Sequence, residues 1–110
     1  DATITGCTFE NNAGNRDGGA IRVFKADNVK ISDSNFTNCI ASAGGAIACS
    51  GNNGSLVNCI FTDNAANSSY TTYSGANHTA GAVFWTGTYG VIDHCTFINN
   101  KAPLTSNTYG

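Results

Sequence analysis

The sequence has 110 residues, of which 11% are charged, and its formal net charge is -2 at pH 7. Such a balance supplies no basic surface for nucleic acid, and no apolar run reaches the roughly 18 residues of a membrane-spanning helix. Glycine occurs 13 times, proline once and methionine not at all. β-Branched residues and asparagine are abundant, which favours strands and turns over amphipathic helices. We therefore expect little or no helix, no nucleic-acid partner and no membrane span.

Two short sequence motifs alternate along the chain. An aromatic motif close to FxxN begins at Phe9, Phe36, Phe61 and Phe97, and a glycine motif close to GGAI begins at Gly18, Gly44 and Ala80. The phenylalanines are 27, 25 and 36 residues apart. The last interval contains an insertion of roughly ten residues, and without it the period is about 26, a length typical of stacked repeats.

Each repeat has the pattern of three short strands. An aliphatic residue lies five positions before each phenylalanine, and a cysteine or serine lies two positions before it. Ile31 and Phe36 have opposite parity, which requires a bend near Asp33. After an Asn-rich turn, Gly19, Ile21 and Val23 alternate as a third strand. Strands joined by bends in this way predict a coil of a parallel β-helix, with neighbouring coils about 4.8 Å apart.

We therefore predict an all-β fold, a right-handed parallel β-helix of about 3.5 to 4 coils, in one domain that covers residues 1–110. The first coil is assigned to about residues 2–27 and the second to about 28–53. The third coil, with the inserted loop, takes about 54–89, and a partial fourth takes about 90–110.

Stacking in register would place equivalent side chains above one another. The aromatic residues are predicted to form a buried core ladder of Phe9, Phe36, Phe61 and Phe97. A second ladder, at a turn whose backbone amides need partners, is predicted for Asn12, Asn64 and Asn100, with Cys39 in the remaining position. The paired glycines are expected to supply positive φ or a close approach between coils, since no phosphate-binding glycine motif opens a helix.

The alternating GGAI and FxxN motifs resemble the repeats of chlamydial polymorphic membrane proteins and of adhesin-like surface proteins of methanogenic archaea. The resemblance covers essentially the whole chain, with departures at Ala80, at Cys39 and in the third-coil insertion. It implies an extracellular or cell-surface solenoid that acts in adhesion or in surface structure, within much longer chains.

The first and last coils lack the pattern of a cap. The sequence starts at Asp1 without a signal-peptide pattern, so we expect a processed product or a piece of a longer chain. Uncapped coils would expose unpaired backbone groups that invite docking. The expected partners are copies of the chain stacked head to tail into a fibre, with a missing strand donated by a neighbour, or flanking coils of a longer chain. Glycans and cell-surface proteins are further candidates.

The five cysteines follow the columns of the predicted coil. Cys7, Cys59 and Cys95 share one inward column, interrupted by Ser34, and Cys49 lies in another. No Cys or His spacing indicates zinc. Buried free thiols that act as small apolar side chains are one interpretation. A disulfide between Cys59 and Cys95 is the other, although parallel in-register neighbours often lack the required geometry.

An enzymatic role would need clustered acids. Parallel β-helices host pectin-degrading enzymes, but the seven acids of this chain scatter over different columns. Asp93 and His94 form the only adjacent acid–base pair, and neighbours in a strand point to opposite faces. We predict no catalytic, metal or cofactor site. A fragment of a carbohydrate-active β-helix enzyme is the alternative.

Two further sets of residues are candidates for contacts and modification. The third-coil insertion carries Tyr70, Tyr73, Asn77 and His78, which suit glycan or protein contact, although the loop could instead shield the coil. The sequons for N-glycosylation of an extracellular protein are Asn35, Asn53, Asn67 and Asn77.

Overall fold

The computed structural model describes residues 1–67 and 80–102, and in these two ranges all regular structure is β-strand. The strands are β1 (Ala2–Thr5), β2 (Thr8–Glu10), β3 (Ile21–Val23), β4 (Val29–Ser32), β5 (Asn35–Thr37), β6 (Ile40–Ala41), β7 (Ile47–Cys49), β8 (Ser55–Val57), β9 (Ile60–Thr62), β10 (Ala65–Ala66), β11 (Val83–Trp85), β12 (Val91–Asp93) and β13 (Thr96–Ile98). A helix capable of crossing a bilayer is absent from the described ranges.

The strands form parallel sheets that run along the stack of coils. The first sheet has the order β1-β4-β8-β12, the second β2-β5-β9-β13 and the third β3-β7-β11. Partners in each sheet come from successive repeats and pair in register, so Ile4 lies beside Ile31 and Ile31 beside Leu56. One turn of the chain thus contributes one strand to each sheet. The predicted all-β parallel β-helix is confirmed.

The sequence predicted three strands per coil, and the structure adds a fourth, shorter one. β6 pairs with β10, and single bridges join Ala13 to Ile40 and Ala65 to Lys101. This fourth sheet follows directly after the Asn column. Two-residue strands built mainly from alanine show no alternation of apolar and polar residues, and for this reason the pattern did not reveal them.

The bends between sheets are columns of residues with positive φ. Gly6, Asp33, Asn58 and His94 form one column with φ between 51° and 64°. Asn11, Asn38, Asp63 and Asn99 form another with φ between 53° and 58°. Gly, Asn and Asp adopt this left-handed conformation at the lowest cost. The bend predicted near Asp33 is confirmed, and side chains link its column, since Asn58 Nδ2 donates to Asp33 Oδ1 at 2.7 Å.

The two glycines of each glycine motif have different structural roles. Gly18 and Gly44 have φ of 67° and 62°, whereas the following glycines allow close packing between coils. A Cβ atom on Gly45 would lie 2.1 Å from the carbonyl oxygen of Gly81. In the third coil Ala80 replaces the first glycine and is not among the residues with positive φ. That coil therefore retains the close approach and gives up the left-handed turn.

The core lies along the axis of the coils, and the phenylalanine column is its centre. Neighbouring rings of Phe9, Phe36, Phe61 and Phe97 stack with centroid distances of 4.8, 4.8 and 4.9 Å and nearly parallel planes. The two inner rings are fully buried, together with Ile47 from the third sheet. Phe97 is 47% exposed because no described coil covers it.

The position of a ring in the stack should determine its contribution to stability. Replacing Phe61 with alanine removes a ring that packs on both faces, so we expect the free energy of unfolding to fall by about 3 to 5 kcal/mol. Phe97→Ala removes a ring with one covered face and should cost about half as much. Urea unfolding followed by circular dichroism measures both. Equal losses would contradict a core built from stacked coils.

Candidate functional site

The Asn column joins successive coils through buried side-chain amides. The fully buried Asn64 accepts the Cys39 N–H at Oδ1 at 2.9 Å, and its Nδ2 donates to the Phe36 carbonyl at 3.0 Å. Asn100 repeats the arrangement, accepting the Asn64 N–H at 3.0 Å and donating to the Phe61 carbonyl at 2.9 Å. Each amide therefore satisfies two backbone groups of the preceding coil.

Cys39 interrupts this column. Its Sγ lies 3.7 Å from the Phe9 carbonyl oxygen, and the Asn12 amide contacts the same sulfur at 3.9 Å. A thiol is a weak donor and a weak acceptor, so it replaces the amide poorly. By the rule that Asn64 and Asn100 follow, the amide of Asn12 is the group that would bond to a coil placed before the first.

All five cysteines are free thiols. The Sγ of Cys59 lies 3.4 Å from the Val57 carbonyl oxygen, and that of Cys95 lies 3.5 Å from the Leu56 carbonyl oxygen. The alternative of a Cys59–Cys95 disulfide is therefore not realised. In-register parallel neighbours project their Cβ atoms in the same direction, and each thiol is directed at a backbone carbonyl instead. Burial raises the pKa of the Cys59 thiol, and also that of Cys49.

Asp93 and His94 lie together, contrary to the expectation that they point to opposite faces. The His94 Nδ1 is 2.9 Å from Asp93 Oδ1, and the side chains are 80% and 58% exposed, respectively. The expectation was wrong because His94 belongs to the bend column, with φ of 52°, and the strand alternation ends at Asp93. The described residues contain no group of three potential metal-ligating side chains.

The candidate contact and modification residues fall into two classes. Tyr70, Tyr73, Asn77 and His78 lie outside the described residues. Of the remaining sequon asparagines, Asn35 is exposed on β5, Asn53 is exposed at a bend with φ of 54°, and Asn67 is half-buried.

A small cavity on the outer face of the third sheet was not predicted. It measures about 200 Å³, and Ala48 forms its floor between Arg22 and Phe84, which are its register partners. Phe24 is 60% exposed at its edge, with the Arg22 Cζ 4.9 Å from the ring centroid. Two outward aromatic residues could have indicated this cavity in the sequence. Phe24 follows β3 directly, and Phe84 on β11 lies opposite Ala48.

The fourth coil leaves an apolar surface uncovered, which we call the fourth-coil end. Ile92 and Phe97 are 50% and 47% exposed, whereas their equivalents Leu56 and Phe61, one coil earlier, are fully buried. A cleft of about 450 Å³ opens beside them. Its lining residues are Ala80, Gly81, Ala82, Val83, Trp85, Ile92, Phe97, Asn99, Asn100 and Ala102.

The opposite end of the stack has matching chemistry, and we call it the first-coil end. Ile4 and Phe9 are half-buried there, in the same columns as Ile92 and Phe97. Asn12 accompanies them in the column of Asn100. The two ends therefore expose the same inward columns on opposite faces of the stack of coils.

Restoring the interrupted Asn column should stabilise the protein. In Cys39→Asn, the new amide can accept the Asn12 N–H and donate to the Phe9 carbonyl, and we expect a gain of about 1 kcal/mol in the free energy of unfolding. The reciprocal Asn64→Cys leaves the buried Cys39 N–H without its acceptor and should cost about 1 to 3 kcal/mol. Chemical unfolding measures both changes. A destabilised Cys39→Asn variant would refute the role assigned to the column.

Thiol reactivity should follow burial. Because burial raises the pKa of Cys59 and Cys49, less thiolate is present at a given pH, and alkylation accelerates only as the pH rises. We expect iodoacetamide at pH 8 to modify the half-buried Cys7 and Cys95 at least about tenfold faster than these two. Mass spectrometry of proteolytic fragments gives the rates, with urea-unfolded protein as the reference. Similar rates for Cys59 and Cys95 would contradict the buried column.

Comparison with known proteins identifies the fold family. The model of a family described as "right handed beta helix region" matches residues 1–109. Curated proteins and solved structures, by contrast, gave no significant match. The family match covers nearly the whole chain and agrees with the stacked parallel sheets, and it confirms the predicted handedness. The chain belongs to the right-handed β-helix family.

Proposed function

We propose that the chain is a segment of an extracellular or cell-surface structural solenoid, with an adhesive role, that extends by adding coils end-on. The observation that supports this most directly is the match between the two ends. With a second copy in the internal register, Phe9 would stack on Phe97 and Ile4 on Ile92. The Asn12 amide would then reach the carbonyl of Phe97, as the Asn100 amide reaches that of Phe61.

The strength of such a contact follows from what remains exposed. Covering the exposed halves of Ile92 and Phe97 and their counterparts is worth about 1 kcal/mol each, and each backbone hydrogen bond that continues the first two sheets across the contact adds about 1 kcal/mol. Association of separate molecules costs at least about 4 kcal/mol in lost freedom of motion. Single copies should therefore associate weakly and only at high concentration. Coils linked in one longer chain would avoid most of that cost.

Surface features support the extracellular and adhesive parts of the proposal. Asn35 on β5 and Asn53 at a bend before β8 are exposed sequon asparagines. The cavity bordered by Phe24 and Arg22 offers an aromatic surface with a neighbouring cation. Aromatic residues and arginine are enriched at protein contact surfaces. The resemblance to adhesin-like repeats points in the same direction.

A carbohydrate-active β-helix enzyme fragment is the second candidate. The Asp93–His94 pair is the feature that favours it, because an exposed acid–base pair at 2.9 Å can exchange protons with a substrate. Release of reducing sugars from pectic polysaccharides, lost in Asp93→Asn, would support this candidate over the structural one.

End-on association can be tested with two neighbouring residues on β12. Ile92 points into the fourth-coil end and Val91 points outward, yet they are similarly exposed at 50% and 53%. We expect light scattering to show concentration-dependent association of the unmodified chain that is lost in Ile92→Lys and kept in Val91→Lys. Circular dichroism would verify that both variants fold.

Two results would contradict the proposal. One is a monomer at every concentration up to the millimolar range, where weak contacts become populated. The other is an equal effect of the two lysine substitutions. Electron micrographs of concentrated protein provide an independent check, because end-on addition should give filaments of one coil's width.

A further inference from the structure

We propose that the cavity on the outer face of the third sheet is a binding site for one aromatic side chain of a partner protein, flanked there by an acidic residue. This inference deepens the proposed function, because it names the chemistry that the adhesive role would recognise, and it rests on that role. It does not depend on end-on association, since the cavity lies on the side of the stack.

The cavity is a gap between side chains on the outer face of the third sheet. Three successive coils contribute to it, and in-register pairing arranges their residues in two columns that run along the stack. In coil order, the columns are Arg22, Ala48 and Phe84, and Phe24, Ser50 and Thr86. The middle coil therefore contributes only small side chains, while the coils on both sides contribute an aromatic one.

The spacing of the strands gives this gap the thickness of one aromatic ring. Arg22 and Phe84 are register partners of Ala48 on either side, so their backbones are two strand spacings apart, about 9.6 Å. A planar ring placed midway, over Ala48, would lie about 4.8 Å from each of them. Phe9 and Phe36 stack at the same centroid distance of 4.8 Å inside the coil. A bound ring would thus repeat on the outer face the packing found in the core.

The open space is large enough for such a ring. It measures about 200 Å³, and an apolar cavity of about 150 Å³ is sufficient to bind benzene. Ala48 is 5% exposed, as the floor of a narrow trough should be, and Phe24 is 60% exposed at the edge. The site depends on this open space, and it does not require that the side chains around it lack other contacts.

The polar groups of the cavity favour an aromatic side chain over a sugar. Arg22 and Asp17 form an ion pair at 3.4 Å. The Ser50 hydroxyl accepts the Lys25 N–H at 3.1 Å and donates to the Val23 carbonyl at 3.3 Å. These groups therefore bond mainly to one another. A sugar needs several hydrogen-bond partners from its site, whereas the face of an aromatic ring needs apolar contact alone.

The charges around Phe24 select the residue next to the bound ring. The Arg22 Cζ and the Lys25 Nζ lie 4.9 and 5.2 Å from the centroid of the Phe24 ring. These are two of the five basic residues of a chain whose net charge is -2. The Asp17 carboxylate pairs with Arg22, and the Lys25 ammonium group is then available to a partner. An acidic residue beside the aromatic one would complement this local positive charge.

The test titrates the full chain with the peptide acetyl-Gly-Asp-Phe-Gly-amide and follows the backbone amides by nuclear magnetic resonance. We expect saturable shifts at Phe24, Ala48 and Ser50, around the cavity. A peptide with leucine in place of phenylalanine should bind about fivefold more weakly, because it loses the ring stacking. A peptide with lysine in place of aspartate should bind about threefold more weakly, because its charge repels Lys25.

Three variants of the chain separate the site from a general effect of apolar surface. Ala48→Leu fills the space of the bound ring and should weaken binding at least about tenfold. Thr8→Leu adds the same side chain on the exposed outer face of β2, as a matched control, and should leave binding unchanged. Lys25→Glu keeps the ion pair of Arg22 with Asp17 and should reverse the preference between the aspartate and lysine peptides. Circular dichroism verifies that each variant folds.

Several outcomes would overturn the inference. They are an absence of saturable shifts up to about 10 mM peptide, equal binding of the phenylalanine and leucine peptides, and unaltered binding by Ala48→Leu. Shifts at the same amides with methyl glycosides, and none with the peptides, would overturn it in favour of a glycan ligand. End-on association without peptide binding would overturn the site and leave the structural part of the proposed function intact. Peptide binding by a chain that stays monomeric would support the site and contradict end-on extension.

Discussion

In-register hydrogen bonding between parallel coils is the constraint from which the rest of the structure follows. It holds equivalent residues one strand spacing apart, so rings in the phenylalanine column stack 4.8 to 4.9 Å from each other without any other device. It also gives equivalent positions in successive coils the same backbone conformation and the same surroundings. A position that needs a left-handed bend in one coil needs it in each, and Gly, Asn and Asp recur there for that reason.

The interruptions of these columns show how much irregularity the stack accepts. Cys39 fills the volume of an asparagine without its two strong hydrogen bonds, and neighbouring coils retain theirs. Ala80 removes a left-handed glycine, while Gly81 retains the close approach. Because each coil contacts mainly its two neighbours, such a defect remains local and costs little elsewhere. The insertion between β10 and β11 is accommodated in the same way, since β11 pairs with β7 in the ordinary register.

The sequence was most informative where a column has one chemical role. The phenylalanine and glycine motifs predicted the repeat period, the register between coils and the inward direction of Ile31, Phe36 and Ile47. They could do so because a buried column tolerates few residue types. It was least informative where backbone geometry decides. The orientation of His94 depends on its positive φ, and β10 consists of two alanines with no pattern to detect. The outer cavity beside Phe24 depends on which residues lie opposite each other across coils, which only the exact register reveals.

The two ends of the described stack carry the same inward columns, and this likeness bears on the proposed assembly. At the first-coil end these columns are half-buried at Ile4 and Phe9, on β1 and β2. At the fourth-coil end they are exposed at Ile92 and Phe97, on β12 and β13. In-register pairing fixes which residues lie above one another inside the stack. A coil added at either end under the same constraint would continue the aliphatic and aromatic columns, so the proposed contact is as specific in register as the pairing between the coils themselves.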